Sequence, residues 1–143
     1  MGTRRQSRES ALKVLYQIEL TGQSPADAVA SYFDEHDSQQ GAREFAEFLV
    51  SGVVAGREAL DEAISGHSTN WKISRMAAVD KNILRMAVFE LMSCPDIPAK
   101  VTINEAVEIA KKYGSAESGA FVNGILDNVA KGIQKPDSAE SDG

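Results

Sequence analysis

Apolar residues recur at steps of three and four along almost the whole chain, and the alternation of a half-buried strand is scarce, so the pattern predicts an all-α protein. The first segment, roughly residues 3 to 21, sets Ala11, Val14, Leu15 and Ile18 on one face, widened by Leu12 and Leu20, with Gly22 as its stop. A second helix opens with Ser24 as N-cap, Pro25 at the first helical position and Asp27 inside the first turn. It carries Ala28, Val29, Tyr32 and Phe33 before the polar stretch Asp37 to Gly41. A long third helix is expected through Phe45, Phe48, Leu49, Gly52, Val53, Gly56, Leu60 and Ile64. Gly52 and Gly56 lower its helix propensity, which predicts that a neighbouring helix approaches closely there.

The stretch Gly66 to Asn70 reads as a turn and as the internal boundary. Beyond a short piece near Trp71 to Met76, a helix over about Ala78 to Ser93 buries Val79, Ile83, Leu84, Ala87, Val88 and Leu91, and Pro95 and Pro98 end it. Thr102-Ile103-Asn104-Glu105 has the form of a capping box, with Val101 placed to staple against Ala106. That helix runs to Lys111 and Lys112, with Gly114 as C-cap, and a last helix over about Ser118 to Ile133 presents Phe121, Val122, Ile125, Leu126 and Val129. Six or seven helices with short connections make a helical bundle of two packed halves. The tail from Pro136 to Gly143 is acidic, built of small residues and expected to be disordered.

Composition narrows the class. A hydrophobic fraction of 43% suits a globular domain, and 143 residues allow one domain or two small bundles. The single cysteine, Cys94, excludes an internal disulfide and a multi-cysteine zinc site, and fits a reducing compartment. The N-terminal arginines have no apolar run behind them, so no signal peptide is expected; nor does any apolar stretch approach the ~20 residues of a membrane span. A soluble, cytoplasmic protein is the expectation. His36 and His67 have no ligand spacing around them, Cys94 has no neighbouring base in sequence, and Gly114 and Gly119 read as helix punctuation rather than as a phosphate loop. No catalytic residue, metal or cofactor is expected, and no enzyme.

Charge is more informative. The formal net charge is -6, so nucleic acid could bind only through a local concentration of positive charge. Arg4, Arg5, Arg8 and Lys13 supply one at the start of the first helix, opposed before residue 19 only by Glu9. Cations there face the positive end of the helix dipole, unfavourable by about 0.3–1 kcal/mol each when exposed, which points to a compensating anion. Phosphate fits, because guanidinium forks match its oxygens and the free N–H groups of the first turn face the same way. A solvated basic terminus without a partner is the alternative. The region Asp34 to Glu62 is acidic whereas Lys72 to Lys112 has a slight basic excess, so an acidic flank could meet a basic protein or simply be a soluble helix face.

The decisive residues are Arg4-Arg5-Gln6-Ser7-Arg8-Glu9 with Ala11-Leu12 and Leu15-Tyr16, then Asp80-Lys81-Asn82-Ile83-Leu84-Arg85 with Ala87 and Glu90-Leu91, then Pro98, Lys100-Val101 and Ile103-Asn104-Glu105-Ala106, and finally Phe121-Val122-Asn123-Gly124-Ile125-Leu126-Asp127. In this order and spacing the series strongly resembles the NusB family of bacterial transcription antitermination factors, over about residues 3 to 133. The Ile-Asn-Glu-Ala and Phe-Val-Asn-Gly blocks are specific in combination and weak singly.

The resemblance implies one all-α NusB-like domain over 1–135, with two three-helix-type subdomains at about 3–66 and 71–133, followed by the tail 136–143. It implies binding of boxA-type single-stranded RNA together with NusE, a ribosomal protein, within the transcription elongation complex, in support of ribosomal RNA transcription. By position Arg4, Arg5 and Arg8 look like the arginine-rich start of the RNA face, with Tyr16 on the same helix and Tyr113, Glu117 and Phe121 at its other end. An aromatic ring can stack on an unpaired base, and a carboxylate can accept from base amino groups. Tyr113 and Phe121 serve equally well as core. Asp80 corresponds to an acidic position that faces NusE, with Lys81 and Leu84 on the same stretch. Gln6 stands where a third arginine often occurs and Ala120 where a basic residue can sit, so weaker RNA binding without the partner is expected. Asn104 and Glu105 read as capping, and Asn123-Gly124 as close helix packing. Similar domains precede ribosomal RNA cytosine methyltransferases, and an enzymatic reading of that kind is not expected for this sequence. Some members form homodimers that could cover the RNA face, which leaves a self-associating or protein-binding adaptor with weak RNA affinity as the alternative.

Overall fold

In the computed structural model, Ser24 Oγ accepts the Asp27 N–H at 3.1 Å, so the second helix starts where its cap signature places it. The structure describes residues 3–35, 40–67 and 72–133. Among these are seven α-helices and one 3₁₀ turn, with no strand: α1 Thr3–Thr21, α2 Pro25–Glu35, α3 Gln40–Ala55, α4 Arg57–Ser65, the turn Ile73–Arg75, α5 Ala78–Ser93, α6 Ala99–Tyr113 and α7 Ser118–Gly132. The periodicity is therefore expressed as helix throughout the described chain. His36, Trp71 and the tail from Pro136 lie outside the described residues.

The chain divides into two compact units, residues 1–55 and 56–143. In the first, α1 buries Ala11, Leu12, Val14 and Leu15 against α3, which turns Ala42, Ala46, Leu49, Val50 and Val53 inward, and Ala28, Val29 and Phe33 of α2 complete the core. The buried Ser7 hydroxyl donates to the Ala42 carbonyl at 2.7 Å, fastening the start of α1 to the start of α3. Gly22 ends α1 in the left-handed conformation (φ 75°), its N–H bonded to the Ile18 carbonyl at 2.8 Å.

The run expected as one long helix is two. It breaks at Gly56 (φ -101°, ψ 17°), whose carbonyl accepts the Leu60 N–H at 2.9 Å to begin α4. Of the two glycines in that run, Gly52 stays inside α3 and the helix yields at Gly56. The units thus divide before α4, not at the turn after it, and α4 packs with α5 and α7.

α5 is the axis of the second unit. Residues Asn82 to Val88, with Glu90 and Leu91, are all buried, and α4, α6 and α7 pack around it. Its two buried charged side chains, Arg85 and Glu90, have partners on neighbouring helices. Arg85 donates to both carboxylate oxygens of Asp61, at 2.7 and 3.0 Å, and Thr102 Oγ1 donates to Glu90 Oε1 at 3.1 Å. That last bond overturns the capping-box expectation. α6 starts at Ala99, after Pro98 with φ -61°, and Thr102 lies in its next turn, facing the core. Val101, expected to staple, is exposed; Asn104 is exposed and Glu105 half-buried inside the helix rather than at its start.

Candidate nucleic-acid interface

The candidate binding residues fall into two groups, one in each unit. In the first, α1 begins without an acidic residue in its opening turn, so nothing there offsets the dipole. Arg4, Arg5 and Lys13 are exposed, as is Gln6. Tyr16, at 44% exposure, stands on the same helix as an open aromatic surface. Arg8 differs from its sequence assignment. It is 4% exposed, with its guanidinium carbon 5.6 Å from the Phe45 ring centre, so it braces α1 against α3 and does not reach solvent. The Arg4 guanidinium lies over the same ring at 4.0 Å. One ring thereby orders two of the arginines, and only Arg4 of that pair stays open to a ligand.

In the second unit the connection from α6 to α7 is built around Ser118. Its buried hydroxyl accepts the Ser115 N–H at 2.9 Å and lies 3.2 Å from Ser115 Oγ, which donates to Glu117 Oε1 at 3.4 Å. Gly114 makes this possible. Its conformation is extended (φ -100°, ψ -161°), so no left-handed cap is involved. A Cβ there would stand 2.7 Å from Ser118 Cβ and 2.9 Å from the Ala110 carbonyl oxygen, closer than any side chain permits. Glu117 is exposed at the start of α7, and its carbonyl accepts the Phe121 N–H at 3.0 Å, which sets the half-buried Phe121 one turn on.

These residues wall an open cavity of about 370 Å³, together with Arg75, Met76 and Asp80. Phe121 and Met76 offer apolar faces, Arg75 a cation, and Asp80 and Glu117 acceptors. Asp80 Oδ1 is buried with no hydrogen-bond partner among the described residues, so the cavity presents an acceptor that a donor could satisfy. Tyr113 is half-buried, with Lys112 Nζ 5.3 Å from its ring centre.

Asp80 thus shares a cavity with Glu117 and Phe121, although sequence assigned it to a different partner. Lys81 beside it is half-buried, while Leu84 is 0% exposed and forms core. Asn123 and Gly124 are exposed, and a Cβ on Gly124 would meet nothing within 4 Å, so among the described residues no helix packs closely on Gly124. Arg75, Ser115 and Ser118 escaped sequence reasoning because none carries a signal before the turn is folded. Phe45 and Phe48 belong to one apolar stripe in sequence; their spacing of three could not show that Phe48 faces outward. Among the described residues no three His, Cys, Asp or Glu side chains gather as a metal site, and no helix is long and apolar enough to cross a membrane.

The model of the NusB family matches residues 5–131. A transcription antitermination protein NusB from Desulfitobacterium hafniense is 46% identical over 142 residues, covering 98% of this chain and 96% of that protein. Its counterpart from Trichlorobacter lovleyi is 54% identical over 129 residues, covering 90% and 91%. Among solved structures, a crystal structure of the antitermination factors NusB and NusE in complex with double-stranded RNA superposes with a TM-score of 0.83 at 31% identity, covering 92% of this chain and 98% of that one.

Proposed function

Because this chain belongs to the NusB family, we propose that it is a transcription antitermination factor that binds boxA-type RNA together with the ribosomal protein NusE. It is a binding protein and not an enzyme. It works in the cytoplasm, in the transcription elongation complex, where it supports ribosomal RNA transcription. The observation that carries the RNA assignment is the exposure of Arg4 and Arg5 in the first turn of α1, on the helix that also presents Tyr16.

Arg4 and Arg5 hold phosphate, Tyr16 and Phe121 stack on unpaired bases, and Glu117 accepts from base amino groups, while Tyr113 adds a further aromatic face. Arg8 contributes by holding the start of α1, not by contact. Asp80 and Lys81 face NusE; the buried Leu84 supports them from within. Exposed Tyr16 and Leu20, one turn apart on α1, favour a second use of this face in a homodimer that competes with RNA.

The test is a titration with a boxA RNA and a scrambled control, with and without NusE, at two salt concentrations, with the protein's own association followed by sedimentation. Preference for boxA that strengthens with NusE is expected. Equal binding of both RNAs in every condition, or none, would sink the proposal. Replacing Arg4 and Arg5 together by alanine should weaken RNA binding and leave helicity and NusE binding intact. It should also flatten the slope of log K against log salt by about 0.7 for each phosphate no longer held.

A further inference from the structure

Phe48 is 44% exposed, yet it is not a loose surface ring. Its ring is stacked on that of Phe45, with centroids 5.9 Å apart and planes within 25°. Phe45 is in turn covered by the Arg4 guanidinium at 4.0 Å. Phe45 therefore meets both the Arg4 guanidinium of α1 and the Phe48 ring of α3, and Phe48 keeps 44% of its surface exposed. A lone exposed phenylalanine is ordinary and needs no explanation. A ring already ordered by stacking, joined through Phe45 to the exposed Arg4, is the combination that single-stranded nucleic acid requires: a flat plate for a base and a cation for the adjoining backbone.

Charge selects the occupant. A second copy docked two-fold through the Arg4 end, unlike one docked further along α1 at Tyr16 and Leu20, would bring Arg4 and Arg5 towards their own counterparts, and a basic ribosomal protein would meet the same repulsion there. RNA meets none at that end. Glu44 and Glu47, exposed on α3 and each preceding one of the two phenylalanines in sequence, repel phosphate but can accept from base amino groups, so the backbone belongs on the arginine side. We propose that Phe48, stacked on the arginine-capped Phe45, is a docking plate for one unpaired nucleobase of the RNA whose phosphates Arg4 and Arg5 hold. This rests on the RNA-binding assignment above and extends it from α1 to a residue of α3.

Three variants test it: Phe48→Ala, Phe48→Leu and Phe48→Trp, each checked for unchanged helicity and titrated with boxA RNA at two salt concentrations. Removing the ring should raise Kd by about fivefold or more, the usual yield of a base–aromatic stack. The salt slope should not change, because the arginines still hold the same phosphates. Leucine should behave as alanine does, since bulk without a π-face does not replace the plate, and tryptophan should bind at least as tightly as the original. Ultraviolet irradiation of the unaltered complex should leave a nucleotide adduct on the peptide that contains Phe48. Wild-type affinity in both the alanine and leucine variants would overturn the proposal, even with the arginine contacts intact. So would a change confined to NusE binding or to self-association. Protein that bound no RNA in any condition would overturn both this proposal and the one beneath it.

Discussion

The side chain of Arg85 is 5% exposed, with Asn82 Oδ1 3.5 Å from one of its nitrogens and both oxygens of Asp61 bound to it. Asp61, at 25% exposure, still meets solvent, so the pair is only partly desolvated. Asp61→Ala would leave the guanidinium buried beside no carboxylate from α4. We expect it to destabilise the second unit by about 3 kcal/mol, read from urea denaturation. Leu84 illustrates what single positions hide. The motif implied that it meets a partner, whereas the apolar spacing of the same helix implied that it is core. α5 is buried on all sides through this stretch, so it has no outward face there and burial prevails. Leu84→Ala should therefore cost about 2–5 kcal/mol of stability, with any loss of NusE binding following the loss of folded protein.

Helices were legible wherever a cap acted locally. Ser24, Pro25 and Gly22 do what their residue types suggest, and Ser24→Ala should cost about 1 kcal/mol. Thr102 misled because a threonine followed three residues later by a glutamate has the same spelling at a helix start as inside a helix. What separates the two cases is Glu90 on a different helix, whose position no local pattern contains. Thr102→Val keeps the shape and deletes the hydroxyl; it should cost about 1–3 kcal/mol, with Thr102→Ser restoring most of it. Hydrogen exchange should find α6 still beginning at Ala99 in both variants, and a start shifted to Thr102 would contradict the observed cap. The break at Gly56 was likewise visible as a weak point, but its effect was not: propensity marks where a helix can yield, and packing decides whether it does.

For the molecule as a whole, a net charge of -6 means that long-range electrostatics oppose RNA. Binding must then rest on the few cations that are both clustered and accessible, which burial of Arg8 reduces further. Affinity should consequently fall only modestly with salt, by a slope of about 0.7 for each phosphate held, and the Arg4 and Arg5 double variant should lose most of that dependence. The residues that the family resemblance singles out fall in two groups, one on α1 and one around Glu117 and Phe121. It could not locate the cavity that Asp80, Arg75 and Met76 help to wall, because those residues meet only after α5 and α7 have packed. Nor could it distinguish Phe48 from Phe45, since both fit one periodic stripe.

Gly114 and Gly124 stand close in sequence and have opposite freedom to vary. Every replacement of Gly114 carries a Cβ into Ser118 and the Ala110 carbonyl, so no missense change at that codon is a neutral step. Gly124 faces open space, and alanine there even gains helix propensity. In a saturation library selected for function, position 114 should be almost empty of variants. Position 124 should be well populated, and any depletion there would mark a partner's footprint rather than a demand of the fold.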